Sequence, residues 1–119
     1  MASSLDPDAR DWEWVCRTVL PRIGMWTGRI SFDLTVAFLD GFDAAQPESI
    51  RPTMQRRCEE RVGRRTPLSW EQYIKAESLG LGVDDLPRDH AMTKADHRAA
   101  IAALQTELMD ALGFTKPPT

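Results

Sequence analysis

Histidine, cysteine and long apolar runs are scarce in this sequence, and each shortage excludes a class of protein. Two histidines, His90 and His97, and two cysteines, Cys16 and Cys58, stand among 119 residues. Neither cysteine belongs to a CxxC pair and no H-E-x-x-H joins the histidines. A zinc centre, which needs three or four converging ligands, therefore has no spacing to rest on. The histidines read as solvent-exposed or first-turn residues of a helix. Both cysteines fall on the apolar stripe of an expected helix and read as buried structural thiols. No apolar run approaches the roughly 18 residues of a membrane span, because Asp33, Asp40 and Asp43 interrupt the longest ones. The opening Met1-Ala2-Ser3-Ser4-Leu5-Asp6-Pro7-Asp8 carries neither a basic segment nor an apolar one, unlike a signal peptide, so the expected location is cytoplasmic.

Catalytic signatures are equally scarce. There is no G-x-S-x-G elbow and no phosphate-binding loop, and Gly24-x-x-x-Gly28 lacks the third glycine and the preceding strand of a dinucleotide site. Ser31 and Ser69 stand where helix caps are expected, which already explains them. No catalytic, cofactor-binding or metal-binding residue is assigned, and the chain is not expected to be an enzyme.

What is present is helical patterning. Asp6 can cap a first helix with Pro7 at its first position, and Asp8 and Asp11 suit the positive end of its dipole. Trp12, Val15, Cys16, Val19 and Leu20 recur at i, i+3, i+4, i+7 and i+8, and Pro21 is expected to end the run. Gly24 to Arg29 reads as a structural turn whose Met25 and Trp26 cover neighbouring helix ends. Ser31 is expected to cap a second helix, with an inner stripe of Leu34, Phe38, Phe42 and Ala45 and with Gly41 explained by close approach of another helix. A third helix is expected over 51–65, capped near Thr53. A fourth starts at Thr66-Pro67 or at Ser69, with Trp70, Tyr73 and Ile74 inside and Gly80 at its end. A fifth begins at Thr93, with Asp96 three positions on, and stops at Gly113. No segment alternates with period two. The expected fold is all-α, a compact single-domain bundle of about five helices over residues 1–119, with 1–5 and 114–119 as flexible ends.

Charge is zoned along the chain. Residues 51–75 hold seven basic and three acidic side chains, while the whole sequence is at −3. Arg57, Arg61 and Arg64 share one helix face. They are either a phosphate-contacting patch or a solvated face paired with Glu59, Glu60 and the acidic loop. The acidic balance and the lack of interleaved aromatics favour the second reading, so nucleic acid is not an expected partner. Of four tryptophans, Trp12 and Trp70 lie on apolar stripes, whereas Trp14 falls off its stripe and is the expected exposed aromatic. Asp84, Asp85 and Asp89, in the loop between Gly80 and His90, are the expected acidic contact for a basic protein partner, and Trp14 is a separate candidate contact.

One spaced pattern resembles a known group. Leu20-Pro21-Arg22-Ile23-Gly24-Met25-Trp26-Thr27-Gly28-Arg29, then Ser31, then Ala37-Phe38-Leu39-Asp40-Gly41-Phe42 resembles small bacterial proteins that read R-P-G-M-Y-L-G, a serine and F-L-x-G-Y. Ser69-Trp70 and the leucine-rich helix from Thr93 to Leu112 stand where that pattern places a later Trp and a C-terminal helix. Ile23, Trp26 and Phe42 depart from it. Such proteins look like immunity-type proteins of polymorphic toxin systems. The resemblance implies a non-catalytic protein that neutralises a co-encoded toxin, possessing a basic domain, by stoichiometric binding. The sequence leaves two other readings open, a helical regulator using the arginine face on nucleic acid and a subunit of a larger assembly. It sets no oligomeric state.

Overall fold

Asp11 opens the chain's helical course: its extended backbone turns inward and its Oδ1 accepts the Trp14 N–H at 3.0 Å. In the computed structural model, residues 10–82 and 86–114 are described. Asp6, Pro7 and Asp8, expected at the start of the first helix, lie outside them. α1 (Trp12–Trp14) passes into a π turn at Val15–Val19, then a 3-10 turn at Leu20–Arg22, then α2 (Ile23–Thr27). Pro21 explains the loosened register. It has no N–H, and in an α-helix its ring would clash with the carbonyl four residues back. The Leu20 N–H donates to Val15, five residues back. The Cys16 carbonyl then has no backbone donor in either register, and Gln105 Nε2 reaches across from the last helix to donate to it at 2.6 Å.

The first helical run ends at Arg22, one residue past Pro21, where the backbone leaves the helical region at φ −130° and ψ 39° before α2 begins. The segment expected to be a turn is helical through Thr27, and it is Gly28, at φ 92°, that stops it. A left-handed residue of that kind is strained for any side chain with a Cβ. Gly24 serves a different need, because a Cβ there would stand 3.3 Å from Ile30 Cγ1, and the glycine lets Ile30 fold over α2.

α3 (Phe32–Ala44) is capped by Ser31, whose Oγ accepts the Leu34 N–H. Its buried residues are Phe32, Thr35, Leu39 and Asp43, so the inner stripe is rotated from the expected Leu34–Phe38–Phe42–Ala45 line. Phe38 and Phe42 form a flank instead, with Phe42 edge-on to Trp12 at 4.9 Å. Gly41 meets nothing within 4 Å of its absent Cβ, so no helix approaches it, contrary to expectation. Asp43 ties the next loop, accepting the Ile50 N–H and the Ser49 hydroxyl.

α4 (Arg51–Val62) starts with Pro52 in its first turn, which places Thr53 inside the helix rather than at its cap. α5 (Trp70–Leu79) starts at Ser69 and not at Thr66-Pro67, and it ends at Gly80. α6 (Lys94–Leu112) has the full capping box. The Asp96 N–H donates to Thr93 Oγ1 at 3.0 Å and the Thr93 N–H donates to Asp96 Oδ2 at 3.1 Å. Of the caps read from local sequence, those at Ser31, Ser69 and Thr93 are in place.

α6 is the central post, packing against α3, α4, α5 and the turns at Val15–Arg22. One apolar cluster draws on every long helix, with Phe32, Leu39, Met54, Trp70, Ile74, Leu104 and Leu108 at its heart. Among the described residues there is no strand and the architecture is an all-α single-domain bundle. Phe114, expected in a flexible end, packs half-buried against the core, its N–H donating to the Met109 carbonyl. Residues 1–5 and 115–119 lie outside the described residues.

Candidate functional site

Three polar clusters and one apolar surface are where chemistry or recognition can reside. The first resembles a catalytic triad in composition: Ser31, Asp89 and His97 meet at the N-terminus of α3. Its wiring is different. The Ser31 hydroxyl donates to Asp89 Oδ2 at 2.7 Å, and the Asp33 N–H donates to Asp89 Oδ1 at 3.0 Å. His97 Nδ1 accepts the Phe32 N–H at 3.0 Å, which puts the ring proton on Nε2, facing the Asp89 carbonyl at 3.0 Å. A triad needs its imidazole on the serine hydroxyl with a lone pair to take the proton. Here both ring nitrogens hold backbone. The 3.6 Å separation of Nδ1 from Asp89 Oδ1 is accordingly not an ion pair, because Nδ1 acts as an acceptor.

This cluster is a staple between the α5–α6 loop and the start of α3. His97 is a buried residue of the first turn of α6, and His90 is exposed. Burial alone would raise the Asp89 carboxyl, but the Asp33 N–H and the Ser31 hydroxyl hold it below the ordinary carboxylate range. Asp89 is thus held ionised, with both carboxylate oxygens tied to the fold. Asp84 and Asp85 lie outside the described residues. Lys75, itself buried, anchors the same loop by donating to the Pro87 carbonyl at 2.7 Å.

The second cluster contains the arginine face. Arg57 Nε donates to Glu107 Oε2 and Arg61 Nη2 to Glu107 Oε1, each at 2.9 Å, and Arg61 also pairs with Glu77. Among the described residues, the partners come from α5 and α6 and not from Glu59 or Glu60. Glu107 is buried. Burial pushes its carboxyl up, yet the hydrogen bonds and charges of Arg61 and Arg57 bring it below its usual range. The signal for it was in the sequence, since Glu107 interrupts the apolar stripe between Leu104 and Leu108. Arg64 is exposed beyond the end of α4 and does not join the pair.

The third cluster gathers Asp40, Arg51 and Glu71 beside Trp12. Arg51 pairs with Asp40 and lies 3.5 Å from Glu71 Oε2. Glu71 is 1% exposed. Burial raises its carboxyl, and Asp40 adds to the rise against the opposing pull of Arg51. Glu71 Oε2 and Trp12 Nε1 have no hydrogen-bond partner among the described residues. The cysteines stand apart and are fully buried, as expected. Burial pushes the Cys16 thiol up to about 12 and Cys58 to about 11, so neither is a ready nucleophile. No group of three ligating side chains fit for a metal occurs among the described residues.

The apolar surface belongs to α2. Met25 is 79% exposed and Trp26 48%, with Ile30 exposed beside them. Trp14, expected to be the exposed aromatic, is half-buried instead. It packs edge-on against Trp26 at 5.4 Å with the Arg10 guanidinium 4.7 Å over its ring. The break at Arg22 causes this, because α2 folds back and covers Trp14 while its own outer residues face outward. Met25 and Trp26 were readable as a large apolar pair on no stripe, but the expected turn gave them helix ends to cover. No described helix is long and apolar enough to cross a membrane. No protein-family model, curated protein or solved structure matches this chain.

Proposed function

We propose that this chain is a non-catalytic protein-binding module whose specific task is to neutralise a co-encoded bacterial toxin as an immunity protein. One observation carries the protein-binding reading: Met25, Trp26 and Ile30 form a contiguous exposed apolar patch on a short helix held by a rigid bundle. Patches of this kind on small domains mark contact surfaces, and Trp is the residue most enriched at interface hot spots. The polar clusters support the same reading from the other side. The hydroxyl of Ser31, the ring of His97 and the carboxylates of Asp89 and Glu107 are all engaged in holding helices together. The arginine face favours binding nucleic acid less than its charge suggests, since Arg57 and Arg61 are already paired.

The resemblance over Leu20 to Phe42 supplies the toxin-directed form of the proposal, and its Met25-Trp26 step lies on the exposed patch. The test is co-expression with the product of the adjacent gene. Relief of growth arrest, together with an equimolar complex by sedimentation, is the expected result. Unrelieved arrest and separate sedimentation of the two proteins would refute the proposal.

A further inference from the structure

We infer that the groove between α2 and α6 is a docking site for an acidic amphipathic helix of a protein partner, an inference that rests on the protein-binding reading above and names the chemistry of its partner. The groove encloses about 530 Å³. Leu20, Ile23 and Ile101 form its floor, and Met25 and Ile30 stand as a lip. A second depression of about 600 Å³ continues over Met25 onto Trp26 and Thr18. The surface is long and apolar, as helix-in-groove recognition requires: side chains one turn apart on one face of a helix enter successive hollows.

Charge selects the kind of helix. Arg22 and Arg98 stand at the groove's edges, no acidic side chain lines it, and neither arginine is in an ion pair among the described residues. This is a local basic rim on a chain whose net charge is −3. An apolar helix flanked by glutamates or aspartates matches both features, whereas one flanked by lysines brings like charges together. The sign is opposite to that of the basic partner expected from the Asp84–Asp85–Asp89 loop, whose Asp89 is tied to the fold.

Two rival occupants fit the geometry less well. A small ligand needs convergent polar groups to orient it, and here the amide N–H of Gln105 is already donated to the Cys16 carbonyl. A lipid surface takes a convex apolar protrusion above a basic rim, whereas the arginines here flank a concavity that only inserted side chains fill.

The test uses the full chain and two fluorescein-labelled peptides of one leucine stripe, each helix-stabilised by a side-chain cross-link. One carries glutamates on its flanks and the other lysines, and binding is read by anisotropy. Met25 and Arg98 are exposed, so Met25→Glu and Arg98→Glu are expected to keep the unmodified melting temperature. The expected result is binding of the glutamate peptide at least about tenfold tighter than the lysine peptide, weakening as salt rises. Each variant is expected to lose about tenfold of that binding, and Arg98→Glu to narrow the preference between peptides. Equal binding of the two peptides, or none, overturns the inference. So does a concentration-dependent dimer that Met25→Glu dissolves, which would make a second copy the occupant. So does co-sedimentation with phosphatidylcholine–phosphatidylglycerol vesicles without peptide binding. The co-expression assay keeps the two proposals apart. Neutralisation retained by Met25→Glu removes the groove and leaves the protein-binding reading standing, while failure of the unmodified chain to bind any co-encoded protein removes the reading itself.

Discussion

Gly41 stands in the middle of α3, exposed, with open space where a side chain would go. Glycine in a helix interior is unfavourable by about 1 kcal/mol relative to alanine, and nothing packed against this site offsets it. Gly41→Ala is therefore expected to stabilise the chain by about 0.5–1 kcal/mol, read as a higher urea midpoint at unchanged slope. Glu71 carries a larger conflict. Burial, with Asp40 beside it, holds its carboxyl above the ordinary value. A carboxyl raised on folding lends its stability fully below the unfolded value of about 4.3 and loses it as pH rises through the folded value. Glu71→Gln keeps the shape and removes the charge. It is expected to gain about 1 kcal/mol over the parent between about pH 6 and pH 8. The gain is expected to close by about pH 4, as thermal melts across that range would reveal. Neither residue's surroundings are declared in sequence: Gly41 reads as a contact, and Glu71 stands in a first turn, where any helix favours an acid, because exposure depends on which helix lies opposite.

Helix ends were legible because they are built within four residues. Ser31, Ser69 and Thr93 cap, and Gly80 and Gly113 stop, with donors and acceptors that are chain neighbours. The junction after α1 was illegible for the converse reason, since its Cys16 carbonyl is satisfied from a helix about ninety residues away in sequence. Separations of 58 and 65 residues hid Asp89 and His97, which reach back to Ser31 and Phe32. Gln105→Leu is expected to strip the Cys16 carbonyl of its donor and cost about 1–2 kcal/mol. Adding Pro21→Ala restores an N–H near that carbonyl, so the double variant is expected to recover part of the loss. A double-mutant cycle on denaturant unfolding measures the coupling, and strict additivity would show that Gln105 and Pro21 act on different atoms.

At the scale of the molecule, Glu107 holds α6 to α4 and its arginine partners join that pair to α5. The basic stretch of the sequence is thereby internal mortar more than a surface field. Its charge was legible in the sequence; its partners, fifty residues on, were not. Glu107→Gln is expected to cost about 2 kcal/mol near neutral pH, below the ~3–5 of a wholly buried pair, because the guanidinium ends remain partly solvated. The Glu107 carboxyl is depressed on folding, so its contribution is present above about pH 4.3 and is lost as pH falls through the folded value. Urea unfolding at neutral and at acid pH is expected to show parent and variant far apart in the first and converging in the second. The π turn has a consequence of another kind. A π turn is an α-helix holding one residue more than its length requires, so Val15–Val19 is the place where the chain can lose a residue and keep its turn. Excising the exposed Thr18 would take out that surplus and leave the segments before and after it in the phase they have now, so Trp14 would keep Trp26, because the wide turn is what absorbs the extra residue. It would also bring Pro21 to four residues from Cys16, with the proline ring against the carbonyl that accepts Gln105. The surplus residue acts as a shim, keeping a ring that cannot sit in ordinary winding clear of a carbonyl that has no other donor.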